Sequence, residues 1–205
     1  MAQTWAFVAA SAVQQNASSV VVPVPTGYAA GNLLVICVAT SAAVSTPSGW
    51  TAISTNVAYT AAFWKFASAS ESSVTIAVTS GAAVMLCYSG ISGADTAATR
   101  NSGASAPAIT NTQTTTADFD LVISLYGGNI ASGTYSFSTP ASTTSRASAT
   151  PTLTSSALLV VDEAKTPAGV TTARSASGGV VAAWGALAFS FKQGSRASGN
   201  MMMLF

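Results

Sequence analysis

The chain contains no histidine, so its capacity for chemistry rests on six carboxylates, two cysteines and its aromatic side chains. Without an imidazole, Ser-His-Asp and Cys-His nucleophile systems and His-based zinc sites are excluded. Asp118 and Asp120 are two apart and would share a strand face, whereas Asp162 and Glu163 are adjacent and would point oppositely. A glycosidase needs two carboxyls facing each other across a cleft, which neither spacing supplies. We read these carboxylates as solvated strand ends, with Glu163 paired to Lys165. Calcium held by Asp118, Asp120 and main-chain carbonyls is the alternative, without EF-hand-like spacing to support it. Cys37 and Cys87 each lie in an apolar run and read as buried free thiols. A disulfide between neighbouring core strands is the other reading, against which a reducing cytosol argues. No Gly-x-x-x-x-Gly-Lys-Ser/Thr run occurs, so no phosphate cradle is indicated. We therefore expect no enzyme, no cofactor and no metal.

Aromatic side chains could instead stack on sugars, and Trp50, Tyr59, Trp64, Tyr126 and Tyr135 are the candidates if exposed. Alternation puts Trp64 and Phe66 on one strand face, which reads as core. A glycan groove would then rest on the loop aromatics Trp50 and Tyr135.

The elements that must position these groups are strands. Charged residues make up 6% of the 205 residues, against about 25% in ordinary soluble domains. Net charge is +1, which leaves no electrostatic footprint for nucleic acid or an anionic membrane. No apolar run approaches the roughly 20 residues of a membrane-spanning helix. Period-2 alternation recurs instead: Trp5 with Phe7, Val20 with Val22 and Val24, and Val74 with Ile76 and Val78. Leu33–Val38 is apolar on both faces and should be central. Strands are also expected at 63–66, 84–88, 119–126, 156–161 and 180–191. Residues 94–117 read as a long connection with one edge strand at 108–112.

The second half faintly repeats the first. Gly31-Asn32-Leu33-Leu34-Val35-Ile36 matches Phe119-Asp120-Leu121-Val122-Ile123-Ser124, and Thr46-Pro47-Ser48-Gly49 matches Thr139-Pro140-Ala141-Ser142. Met85-Leu86-Cys87-Tyr88 is set against Leu187-Ala188-Phe189-Ser190. Two strand sets that cannot each bury an inner face alone would pack on one another. The expected fold is all-β, an antiparallel, jelly-roll-like β-sandwich of two quasi-repeated halves with little helix. One interleaved sandwich over residues 1–193 is preferred to two domains.

Residues 194–205 differ. A small polar linker leads into Met201-Met202-Met203-Leu204-Phe205, an apolar pentapeptide that needs cover. It either folds back on its own sandwich or docks on a neighbouring subunit, a role for which flexible methionines suit an irregular surface. The N-terminal Met-Ala-Gln-Thr-Trp lacks a basic n-region and a long apolar run, so synthesis and assembly in a cytoplasm are expected, and the Asn16-Ala-Ser sequon carries no meaning there.

Ala30-Gly31-Asn32-Leu33-Leu34-Val35, Pro47-Ser48-Gly49-Trp50-Thr51, Phe63-Trp64-Lys65-Phe66-Ala67 and Cys87-Tyr88-Ser89-Gly90-Ile91 together resemble a β-sandwich module of tailed-bacteriophage virion proteins and some bacterial surface proteins. Thr114–Val122 and Ala188–Lys192 also fit it, so the resemblance spans about residues 18–193. The second half departs from the pattern, with Ala141-Ser142-Thr143 where the first has Gly-Trp. The resemblance brings no catalytic residues. It implies a capsid decoration (cement) protein on the virion exterior, partnered by the major capsid protein. A homo-oligomer such as a trimer, docked through Met201, Met202, Met203, Leu204 and Phe205, would follow. A receptor- or glycan-binding module of a tail or head fibre is the alternative.

Overall fold

The computed structural model describes residues 2–57, 59–104, 107–129, 136–151, 156–178 and 183–194, and among these there is no helix. The first half contributes β1 (Ala6–Ala10), β2 (Gln14–Asn16), β3 (Ser19–Val22), β4 (Leu33–Ala39), β5 (Thr51–Val57), β6 (Thr60–Phe66), β7 (Val74–Ala77) and β8 (Gly81–Ser89). The second half contributes β9 (Ile91–Ala94), β10 (Thr99–Gly103), β11 (Ala108–Ile109), β12 (Thr114–Thr115) and β13 (Asp120–Asn129). It continues with β14 (Thr144–Ala149), β15 (Ala157–Lys165), β16 (Gly169–Val170), β17 (Ser175–Ala176) and β18 (Ala183–Gln193).

The first sheet runs β1-β8-β4-β6-β5, with β2 also on β8; the second runs β10-β18-β13-β15-β14, with β9 also on β18. All these pairs are antiparallel. The fold is thus an all-β sandwich, and its strands do not interleave: each sheet is drawn from one half of the chain. The central strand β4 is fully buried along its length, as its two apolar faces require.

One face of each sheet meets the other sheet. Leu33, Val35, Cys37, Leu86 and Tyr88 of the first pack with Leu121, Ile123, Leu125, Val160, Leu187, Phe189 and Phe191 of the second. The outer face of the first sheet, with Leu34, Ile36, Phe63 and Met85, is covered by Val20, Val22 and Ile76 of the β3–β7 ribbon. The outer face of the second, with Tyr126, Leu159 and Val161, is covered in part by Ala108 and Ala176 of the β11–β17 ribbon.

The internal repeat is a repeat of register. Leu33 stands opposite Tyr88 and Phe66, and Leu121 stands opposite Phe191 and Ala164. Leu33 therefore corresponds to Leu121, Tyr88 to Phe191 and Phe66 to Ala164. The same details recur at the entry to each central strand. Gly31 (φ 84°) and Phe119 (φ 63°) are both left-handed, and their amides donate to Ala67 O at 2.8 Å and to Lys165 O at 2.7 Å. Asn32 Oδ1 then accepts from Ala29 N, as Asp120 Oδ2 accepts from Ala117 N. The Pro47 and Pro140 turns also match, with left-handed Gly49 and Ser142 two residues on. The closing strands need a correction of one residue: Leu86 corresponds to Phe189, and Met85 to Ala188. A one-residue slip matters because it exchanges the faces of a strand.

The 94–117 segment departs from the expected connection. It carries β10, which pairs with β18 from Thr99 to Gly103. Its sequence, Thr-Arg-Asn-Ser-Gly, has no apolar alternation because an edge strand buries little and is held by its ladder. The edge strands β5 and β14 escape a pattern-based reading for the same reason.

Candidate functional site

The carboxylates are not solvated strand ends. Asp162 is buried, and its Oδ2 accepts from Tyr88 Oη at 2.8 Å and Arg146 Nε at 2.7 Å. Tyr88 comes from the first sheet and the other two from the second, so this network crosses the sandwich. Burial and the Asp162 carboxylate beside it push the Tyr88 phenol well above its ordinary value. Glu163 points the other way, as expected, but its partner is Arg174 and not Lys165: Arg174 Nε donates to Glu163 Oε1 at 3.0 Å and Nη2 to Oε2.

Asp120 is fully buried, with its two oxygens taken by Gln193 N at 3.0 Å and Ala117 N at 2.9 Å. Burial raises its carboxyl, the two amides oppose this, and the neighbouring Asp95 adds to the rise. Asp118 Oδ1 accepts from Ala168 N at 2.8 Å. Asp118 and Asp120 thus serve as main-chain caps, and no group of three or more Cys, Asp or Glu among the described residues could hold a metal ion.

The two cysteines are free and buried. Cys37 belongs to the core between the sheets and Cys87 to the core outside the first sheet, so they face opposite ways. Burial raises both thiols, Cys87 to about 11.

Of the two loop aromatics, Trp50 is 9% exposed and packs in the outer core of the first sheet, with Lys65 Nζ 5.1 Å from its ring centroid. That geometry offers no sugar platform. Tyr135 and the pentapeptide Met201, Met202, Met203, Leu204 and Phe205 lie outside the described residues. The end of β18 is anchored: Thr4 N and Oγ1 both donate to Gln193 Oε1 at 3.1 Å, and Thr4 Oγ1 also lies 2.8 Å from Gly194 O. Gln193 Nε2 in turn donates to Asp118 O at 2.6 Å.

Among the described residues, clefts open on two sides of the sandwich, where the sheet edges overlie one another. The first, about 460 Å3, lies between β5 and the β9–β10 side and includes Ile53, Trp64, Ala94, Asp95, Arg100 and Phe191. The second, about 440 Å3, lies between β1 and β14 and includes Trp5, Phe7, Thr144, Arg146 and Asp162.

Comparison with protein-family models, with curated proteins and with solved structures finds no match.

The repeat of register makes the two clefts counterparts. Thr51 stands opposite Trp64 and Thr144 opposite Asp162, and in each edge strand the ladder breaks at a bulge two residues later. Trp64 thus corresponds to Asp162 and the bulge residue Ile53 to Arg146. Phe7 opposite Tyr88 corresponds to Ala94 opposite Phe191. One cleft is floored by Ile53 and Trp64, the other by an ion pair. Sequence reading placed Trp64 and Phe66 in the core; they do share a face, with ring centroids 5.6 Å apart, but Trp64 is partly exposed and Phe66 is 39% exposed.

Proposed function

We propose that this chain is a structural virion protein, a bacteriophage capsid decoration protein that binds the outside of the shell and stabilises it. The observation that carries the reading is the anchoring of the β18 end. Thr4, Gln193 and Asp118 tie Gly194 to the sandwich, which fixes the last described residue before the sequence that ends in the apolar Met201–Phe205. The resemblance to virion sandwich modules supports it, as does a chain with 6% charged residues, whose attachment would rest on buried area and main-chain hydrogen bonds. Such attachment depends weakly on salt. The partner is the major capsid protein, and a homo-oligomer such as a trimer suits capsomer junctions.

The test is co-sedimentation of the purified chain with matching capsids that lack it, with host cells as parallel bait. Saturable binding to capsids at fixed stoichiometry, reduced on deletion of Met201–Phe205, supports decoration. Binding to cells alone overturns it in favour of a fibre module.

A further inference from the structure

We propose that the cleft between β5 and the β9–β10 side binds an uncharged pyranose ring, stacked on Trp64 and held at its edge by Asp95 and Arg100. This goes beyond capsid attachment and does not rest on it.

The second cleft shows what its counterpart lacks. There the Phe7 ring lies against Tyr88, with centroids 5.5 Å apart, and the Arg146 guanidinium covers it at 4.2 Å. The chain thus places a six-membered ring between the two sheet edges. In the first cleft Ala94 stands where Phe7 stands, and Ile53 where Arg146 stands. Phe191, the counterpart of Tyr88, is left without a ring at that position, although Trp64 meets it edge-on at 5.6 Å and 70°. The result is a ring-sized space beside a partly exposed indole.

The polar groups around it favour a sugar over an aromatic side chain. Asp95 lines the cleft. Its Oδ2 accepts from Thr116 N at 3.0 Å and Ser190 Oγ at 3.4 Å, and its Oδ1 from Thr116 Oγ1 at 2.5 Å, which leaves Oδ1 able to accept one further hydrogen bond. Arg100 is exposed at the cleft and makes no ion pair among the described residues. It stands opposite Leu187 in the ladder and so shares the inward face of that strand. One acceptor and one donor across an apolar floor match the vicinal hydroxyls and C–H face of a pyranose. The presence of both charge signs argues for a neutral sugar. A volume near 460 Å3 suits one or two rings.

The experiment is a titration of the full chain with neutral gluco- and galacto-oligosaccharides, with uronic-acid oligosaccharides in parallel, followed by calorimetry and by the Trp64 indole N–H resonance. Saturable binding of a neutral oligosaccharide that shifts the Trp64 resonance is expected. Arg100→Gln should weaken it about tenfold. Ala94→Phe, which places the other half's own ring in the cleft, should abolish it while leaving the thermal midpoint unchanged. Trp64→Ala should also abolish binding, but it removes packing on Phe191 and lowers the thermal midpoint, so Ala94→Phe is the cleaner variant. No binding by any neutral oligosaccharide, binding of the acidic ones alone, or binding indifferent to Ala94→Phe each overturns the proposal. Capsid co-sedimentation of Ala94→Phe should be unaffected, which separates this outcome from that of the decoration test.

Discussion

The Tyr88 hydroxyl of the first sheet donates to the Asp162 carboxylate of the second at 2.8 Å, inside the interface between the sheets. Asp162 also holds Arg146, so removing the carboxylate strands a buried hydroxyl and a partly buried guanidinium. We expect Asp162→Ala to lower unfolding free energy by about 3 kcal/mol or more, and Tyr88→Phe by about 1.5 kcal/mol. Urea denaturation of the single and double variants should give a coupling near 1 kcal/mol. Additive single effects would show that the bond contributes nothing of its own.

The thiols should be silent at neutral pH and costly in alkali. Cys87 is raised from an ordinary 9.0 to about 11, and Cys37 is raised further by complete burial. Between those values the unfolded chain has released the Cys87 proton and the folded chain has not. Stability therefore falls as pH rises from about 9 to about 11. A thiol reagent at pH 8 should label neither cysteine until denaturant is added, and Cys87→Ala should reduce the alkaline loss. Rapid labelling of the native chain would contradict the burial of both.

Gly127 on β13 faces the turn before β6. A Cβ there would lie 2.1 Å from Tyr59 O and 3.1 Å from Ala39 Cβ. Ala39 is its counterpart in the first half, so only one of the pair can carry a methyl at this crossing. Gly127→Ala should cost at least about 3 kcal/mol, at the upper end for overpacking, since main chain must move. Adding Ala39→Gly should restore little, because the closer clash is with a carbonyl. A thermal midpoint close to wild type would show that the two sheets slide apart easily.

Gln193 ties three segments together through Thr4, Asp118 and its own amide on Asp120. Gln193→Ala should lower stability by about 1–2 kcal/mol. It should also raise amide hydrogen exchange at Thr4 selectively, while the central strand β4 keeps its protection. Uniform loss of protection would mean that the N-terminal segment and the sandwich open as one.

What the sequence makes legible is what burial dictates. Leu33–Val38 reads as a central strand because both its faces are apolar, and the Gly31-Asn32-Leu33 and Phe119-Asp120-Leu121 match holds to the residue because both openings use one left-handed residue and one side-chain cap. The edge strands β5, β10 and β14 are illegible because their ladders, not their side chains, hold them. Asp162 reads as a solvated end because its partners, Tyr88 and Arg146, are 74 and 16 residues away in sequence. The cleft at Trp64 depends on which edge overlies which, and a single strand's alternation carries no such information. Trp50 misleads for the opposite reason: a turn delivers it, yet the outer core takes it in.

The matched registers have a consequence for valency. Two identical copies of one half, related by rotation, would carry two identical clefts and bind two identical partners. Joined in one chain, the halves are free of that constraint. One side can keep a tryptophan floor while the other uses the same position for a carboxylate whose bond from Tyr88 fastens the sheets together. The two sides are related as in a dimer, yet among the described residues Trp64 floors the first cleft and Asp162 takes that place in the second.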